Sequence, residues 1–205
     1  MADQLITRAE LASWLQVVDV DNAAADLAIN AATAVVQAAT GQVLVQVTGD
    51  VVVLPATWDV WLPLPEAPVN AVTTVLIGVT TVTDYTAVPD PRTGRSRLWR
   101  GYGWRSYAYS TSTSFLTPPL VTVTYSHGYA VGARRLEPAR DYCFRLAAFR
   151  YSNPGAAESL AIDDYRVSYG DGEPLRSLTA GDRLELRRAY GPVAGSTTLG
   201  SVLLG

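Results

Sequence analysis

Lysine is absent from this 205-residue chain, and all sixteen of its basic residues are arginine. The bias reads first as that of a GC-rich genome, and it removes whole mechanisms. A P-loop, a Schiff-base lysine and a lysine general base all need the missing amine. Histidine and cysteine occur once each, as His127 and Cys143. A single cysteine makes no internal disulfide, and MADQLITRAE carries no hydrophobic leader, so a reducing, cytoplasmic origin is expected. No apolar run reaches the roughly eighteen residues of a membrane span, and no membrane partner is expected. Charged residues make up only 17% of the chain against 48% hydrophobic, a balance that excludes disorder except at the ends.

The scarce charge is segregated. Residues 1–90 hold one arginine against ten acids, and residues 91–136 hold seven arginines and no acid. Such a chain can meet a copy of itself, positive region to negative, or hold its basic segment against a polyanion. Candidate chemistry is thin. His127 stands in the turn-like YSHGY without a visible nucleophile or ligand set, and Asp163 and Asp164, as neighbours in an extended segment, point to opposite faces. No catalytic residue, no metal site and no cofactor is expected.

The length suits one folding unit with two lobes. Thr7 and Glu10 form a capping-box pattern that predicts a helix from about Arg8 to Val18. Asp21 caps a second helix reaching Thr40, with Gly41 as its stop and a polar stripe of Asp26, Asn30, Thr33, Gln37 and Thr40. Beyond Gly41 the period becomes alternating. QVLVQV, DVVVL, WDVWL, NAVTTVLIG, VTTVTDY, RLW and LVTVTYSHGY read as short antiparallel strands, with a turn near Gly78 and another at RTGR. LEPARDYCFRLAAFRYS then predicts a helix of about four turns, apolar on two sides, with Asp141 and Arg145 paired at i, i+4. SNPGAAES reads as a loop, DDYRVSYGDG as a strand, and Thr179 opens a last helix that Gly191 stops near Tyr190. The fold class predicted is α+β: a helical bundle lobe from residues 1–41 and 131–190, an inserted antiparallel β lobe from 42–130, and a C-terminal tail at 191–205.

One constellation stands out. In RTGRSRLWRGYGWRSYAY, five arginines interleave with Trp99, Tyr102, Trp104, Tyr107 and Tyr109. The mixture fits contact with another subunit, the covering of an open sheet edge, a single-strand nucleic-acid surface, or a sugar-stacking face. Arg95, Arg97, Trp99, Arg100, Trp104 and Arg105 are the residues expected at a subunit interface or a lumen. In the tail, Val202, Leu203 and Leu204 are three adjacent apolar residues with no evident internal place.

The order and spacing of ITRAELASWL, AATG, LPLPEAPVNAVTTVLIG, DYTAVPDPRTGRSRLWR, VTVTYSHGYA, LEPARDYCFRLAAFRY, ESLAIDDYRVSYGD and LTAGDRLELRRAY resemble the head-to-tail adaptors, or head-tail connectors, of long-tailed double-stranded DNA bacteriophages and gene transfer agents. The resemblance runs from about Leu5 to Tyr190. It implies a structural virion protein without catalytic residues or cofactor, assembled in the host cytoplasm and located in the neck of the particle. It further implies a homo-oligomeric ring, usually of twelve copies, between the portal protein and the stopper or tail-proximal connector, with packaged double-stranded DNA passing through its lumen without sequence specificity. By the same resemblance, Val202, Leu203 and Leu204 would engage the portal. The aromatic segment 99–116 and the apolar tail depart from the family pattern. Other readings from the sequence are a different head or tail completion protein, or a carbohydrate-binding module using residues 99–109.

Overall fold

The helices start and stop where local chemistry directs them. Thr7 and Glu10 close the reciprocal capping box, and α1 runs Arg8–Leu15. It ends short of the expected Val18 because Gln16 turns left-handed, with φ 57°. Asp21 accepts from the Ala24 N–H to open α2, Asn22–Thr40, which Gly41 closes at φ 71°. A 3-10 turn, Arg134–Leu136, leads into α3, Glu137–Ser152, with Pro138 in its first turn. The last helix, α4, is Ala180–Tyr190, and Thr179 and Asp182 form its capping box. The computed structural model describes residues 4–90, 95–104, 119–153, 159–162, 165–168 and 177–191, with backbone only for 159–168.

Between α2 and α3 lie β1 (Val47–Pro55), β2 (Trp61–Pro63), β3 (Val69–Ile77), β4 (Thr80–Thr81), β5 (Thr86–Pro89), β6 (Ser96–Trp99) and β7 (Leu120–His127). They form a four-stranded antiparallel sheet, β1-β7-β3-β4, and a three-stranded antiparallel sheet, β2-β6-β5. Alternation places Val121, Val123 and Tyr125 of β7 wholly inside, while Thr122 and Thr124 stay half-buried on the other face. QVLVQV, expected as a strand, supplies only the start of β1 and a single bridge, Val45 with Tyr129. Two strands escaped the sequence reading. TAVP forms β5, and SLAI forms β8 (Ser159–Ile162), paired antiparallel with β9 (Tyr165–Ser168).

Two hydrophobic clusters hold these elements. One gathers Leu11, Ala25, Ile29, Ala32 and Val36 with Leu136, Ala139, Cys143, Leu146, Ala147, Leu186 and Tyr190. The other joins the sheets through Leu62, Leu64, Val75, Ile77, Leu98, Trp104, Val121, Val123 and Tyr125. Small residues on α2 and α3 let those two helices approach closely. Thr33, expected on the polar stripe of α2, turns inward instead: its hydroxyl accepts from the Leu5 N–H and lies 3.6 Å from the Cys143 sulfur. Thr40 is likewise buried, donating to the carbonyls of Gln37 and Gln42.

The α+β class is correct, but the helical bundle of two N-terminal helices plus the C-terminal helices does not form. A bundle needs helices long enough to share one seam. Among the described residues there are four α-helices; α1 has only 8 residues and α4 only 11, which leaves α2 and α3 as the sole long pair. The chain between α3 and α4 returns to β-structure in the β8-β9 hairpin. Two antiparallel sheets with their own cluster make up the other part of the architecture.

The clusters meet at the end of β7. There the Tyr129 N–H donates to the Leu44 carbonyl at 2.8 Å, Gln46 N–H to the Tyr129 carbonyl at 2.9 Å, and Gly128 N–H to the Pro68 carbonyl at 2.9 Å. Gly128 has φ 87°, and a Cβ added to it would collide with the Val45 carbonyl. Only glycine satisfies both demands.

Candidate functional site

The arginine and aromatic residues that the sequence singles out are divided by the three-stranded sheet. In β6 the burial alternates, with Ser96 and Leu98 inward and Arg97 and Trp99 outward. Register adds neighbours that lie far off in sequence. Trp61 of β2 and Thr86 of β5 flank Trp99, and Pro63 and Val88 flank Arg97, so these six share the outer face. The Arg97 guanidinium carbon lies 5.3 Å from the centroid of the Trp61 ring, a cation-π arrangement. Trp99 is 41% exposed and Tyr102 84%. Trp58, also exposed, belongs to the segment that leads into β2. Trp61 was not among the residues anticipated; the WDVWL alternation placed it on a strand, but only the register with Trp99 places it on this face.

Arg100 and Trp104 have the opposite fate. The Arg100 side chain is 3% exposed, its Nε donates to Asp84 at 3.0 Å, and its Nη1 donates to the Gly103 carbonyl at 3.0 Å. The hydrogen bond from Arg100 holds the Asp84 carboxyl below its ordinary range, against the opposing effect of partial burial. Trp104 is fully buried, and its indole N–H donates to the Val60 carbonyl at 3.2 Å. Burying such a ring contributes on the order of 3 kcal/mol. Arg100 and Trp104, expected at a subunit interface or a lumen, are thus buried within the chain itself, Trp104 in the cluster that joins the sheets. Asp84, a loop acid, carried no sequence signal for this pairing. Arg95 is half-buried, and its carbonyl accepts from the Asp90 N–H. Arg105, Val202, Leu203 and Leu204 lie outside the described residues, as do Asp163 and Asp164.

His127 is buried, with Nε2 3.1 Å from the Asp50 carboxylate and its ring 5.1 Å from that of Tyr125. Burial pushes the Tyr125 phenol up to about 12. Among the described residues no group of three or more His, Cys, Asp or Glu side chains is placed to hold a metal ion, and no helix is long and apolar enough to cross a membrane.

A second exposed surface lies where α1 turns into α2. Trp14 stacks on Phe144 of α3 at 4.9 Å and 5° between planes, and Arg140 bridges Glu10 and Glu137 beside them. A groove of about 470 Å³ is lined by Ala9, Glu10, Ser13, Trp14, Arg140 and Phe144. Val17 and Val18 continue the apolar surface into water, followed by exposed Asp19 and Asp21.

No protein-family model matches the chain, and no curated protein matches it in sequence. Solved structures do match. The chain superposes on one from the virion of a native gene transfer agent particle with a TM-score of 0.59 and 19% identity, over 94% of this chain and 92% of that one. A chain from the neck of an empty gene transfer agent particle, computed with C6 symmetry, gives 0.56 and 22% identity over 95% and 94%. A third, from the neck of the native particle computed with C12 symmetry, gives 0.50 and 22% over 84% and 90%. The class defined is thus an α+β fold found in virion and neck components. In particular, it is the fold of chains in the gene transfer agent neck, shared over nearly the whole length of both partners.

Proposed function

We propose that the chain is a structural protein of the virion neck, a head-to-tail adaptor that forms a ring between the portal and the stopper or first tail component. The observation that carries this reading is the likeness of fold to chains of gene transfer agent virion and neck particles, which covers 94% and 95% of this chain. In this reading the chain assembles as a homo-oligomer of twelve copies, packaged DNA passes through the ring without sequence readout, and no step of covalent chemistry is performed. The sole histidine is buried against Asp50, an arrangement suited to joining β1 and β7. Segregated charge supports a ring as well, because a head-to-tail ring joins two different surfaces of each subunit and complementary charge aligns them. The tail residues Val202, Leu203 and Leu204 are assigned to the portal. The test is to mix the purified chain with its cognate portal protein and image the product. Rings stacked on the portal are expected; a chain that never joins the portal would overturn the assignment.

A further inference from the structure

We propose that the outer face of the three-stranded sheet is the seat for the α1-α2 corner of a second copy of this chain. The inference rests on the ring reading above and names the two surfaces that would meet.

The seat is built around Arg97. Lying over the Trp61 ring at 5.3 Å, its guanidinium is held in place while its N–H edge remains available, the geometry that best receives a carboxylate. Among the described residues no carboxylate forms an ion pair with Arg97. The same stacking occupies a face of Trp61 that a sugar or a base would need, which favours an acidic protein surface over either. Trp99 adds exposed aromatic area to the face, and Tyr102, in the turn that follows β6, is more exposed still.

The corner has the complementary composition. Trp14 is 48% exposed, and Val17 and Val18 follow it into solvent. Asp19 and Asp21 come next; their carboxylates accept only from backbone, from Val20 and Ala24, and neither pairs with an arginine among the described residues. Apolar area beside two carboxylates with no arginine partner among the described residues thus matches apolar area beside a guanidinium with no carboxylate partner among them. The groove next to Trp14 gives a protruding ring such as Tyr102 a place to enter. The match also follows the charge map of the chain, since the corner lies in the acidic residues 1–90 and Arg97 in the acid-free 91–136. Two different surfaces of one subunit joined in this way propagate head to tail, the type of contact from which a ring is built when the rotation between copies closes.

The experiment places Val18→Cys and Tyr102→Cys in the full chain, singly and together, and assembles each into particles under mild oxidation. Cys143 does not interfere, because burial pushes its thiol up to about 11. A ladder of covalent multimers is expected from the double variant alone. Absence of the ladder from particles that retain the protein overturns this contact and leaves the ring reading intact; absence of the protein from all particles, wild type included, overturns both. A charge exchange gives a second measure. Arg97→Glu, and Asp19→Arg with Asp21→Asn to keep the cap on α2, should each lower the yield of tailed particles by about tenfold, and their combination should recover most of it. Loss with Arg97→Glu that the exchanged partner does not restore would overturn the contact and point to DNA or the portal instead.

Discussion

The Thr33 hydroxyl on α2 and the Cys143 sulfur on α3 lie 3.6 Å apart, both buried, in the heart of the helical cluster. Burial is the main cause that pushes the Cys143 thiol up to about 11, and the bond with Thr33 and the nearby Arg140 charge oppose it. The folded state therefore holds a proton that the unfolded chain releases from about pH 9. Stability from this group is complete below that pH and is lost as pH rises toward 11. Denaturant unfolding followed between pH 8 and 11 should show a declining midpoint, and Cys143→Ala should flatten that part of the decline. A thiol reagent should also leave the native protein almost unlabelled at pH 8.

Arg100 and Arg97 stand three residues apart and predict opposite results. Arg100→Ser removes a buried cation, leaves the Gly103 carbonyl without its donor, and should cost about 2 kcal/mol or more. Trp104→Ala should cost about 3 to 5 kcal/mol through the cavity it opens. Arg97→Ser, on the outer face, should stay within about 0.5 kcal/mol. Urea unfolding of the three purified variants checks the order. Equal losses for Arg97 and Arg100 would contradict the division of this segment into an inner and an outer part.

Gly128→Ala should destabilise the whole chain. The added methyl meets the Val45 carbonyl, and a residue with a side chain at φ 87° is strained besides, so about 2 kcal/mol or more is expected. Gly132, with φ 82° but open space around it, separates the two causes: alanine there should cost about 1 kcal/mol. Thermal melts of both variants decide between them.

Deletion of residues 192–205 should leave the midpoint of unfolding unchanged, because α4 is capped at Gly191 and its last carbonyl, that of Tyr190, is held by Gln42 at 2.6 Å. The truncated protein should attach poorly to portal-bearing heads. On the proposed adaptor role, burial of Val202, Leu203 and Leu204 would supply roughly 4 to 8 kcal/mol per copy before the cost of ordering the tail, so that one contact would be weak and a ring of them durable. Normal attachment by the truncated chain would remove the tail from the mechanism.

What the sequence determined by itself was local. Thr7 with Glu10, Asp21 with Gly41, and Thr179 with Gly191 mark helix ends because their capping bonds run between residues three or four apart, with no need of the rest of the fold. The alternation of β7 was legible for the same reason. Tertiary structure decided which side of an element faces inward where both sides could. Arg97 and Arg100 are alike in the sequence; one lies outside because the strand register sets it between Pro63 and Val88, the other inside because Asp84 and Gly103 receive it. Thr33, polar in any helical projection, is buried because Leu5 and Cys143, 28 and 110 residues away, supply its partners. Whether a polar side chain is buried depends on partners that the chain brings close only by folding, and periodicity carries no information about them.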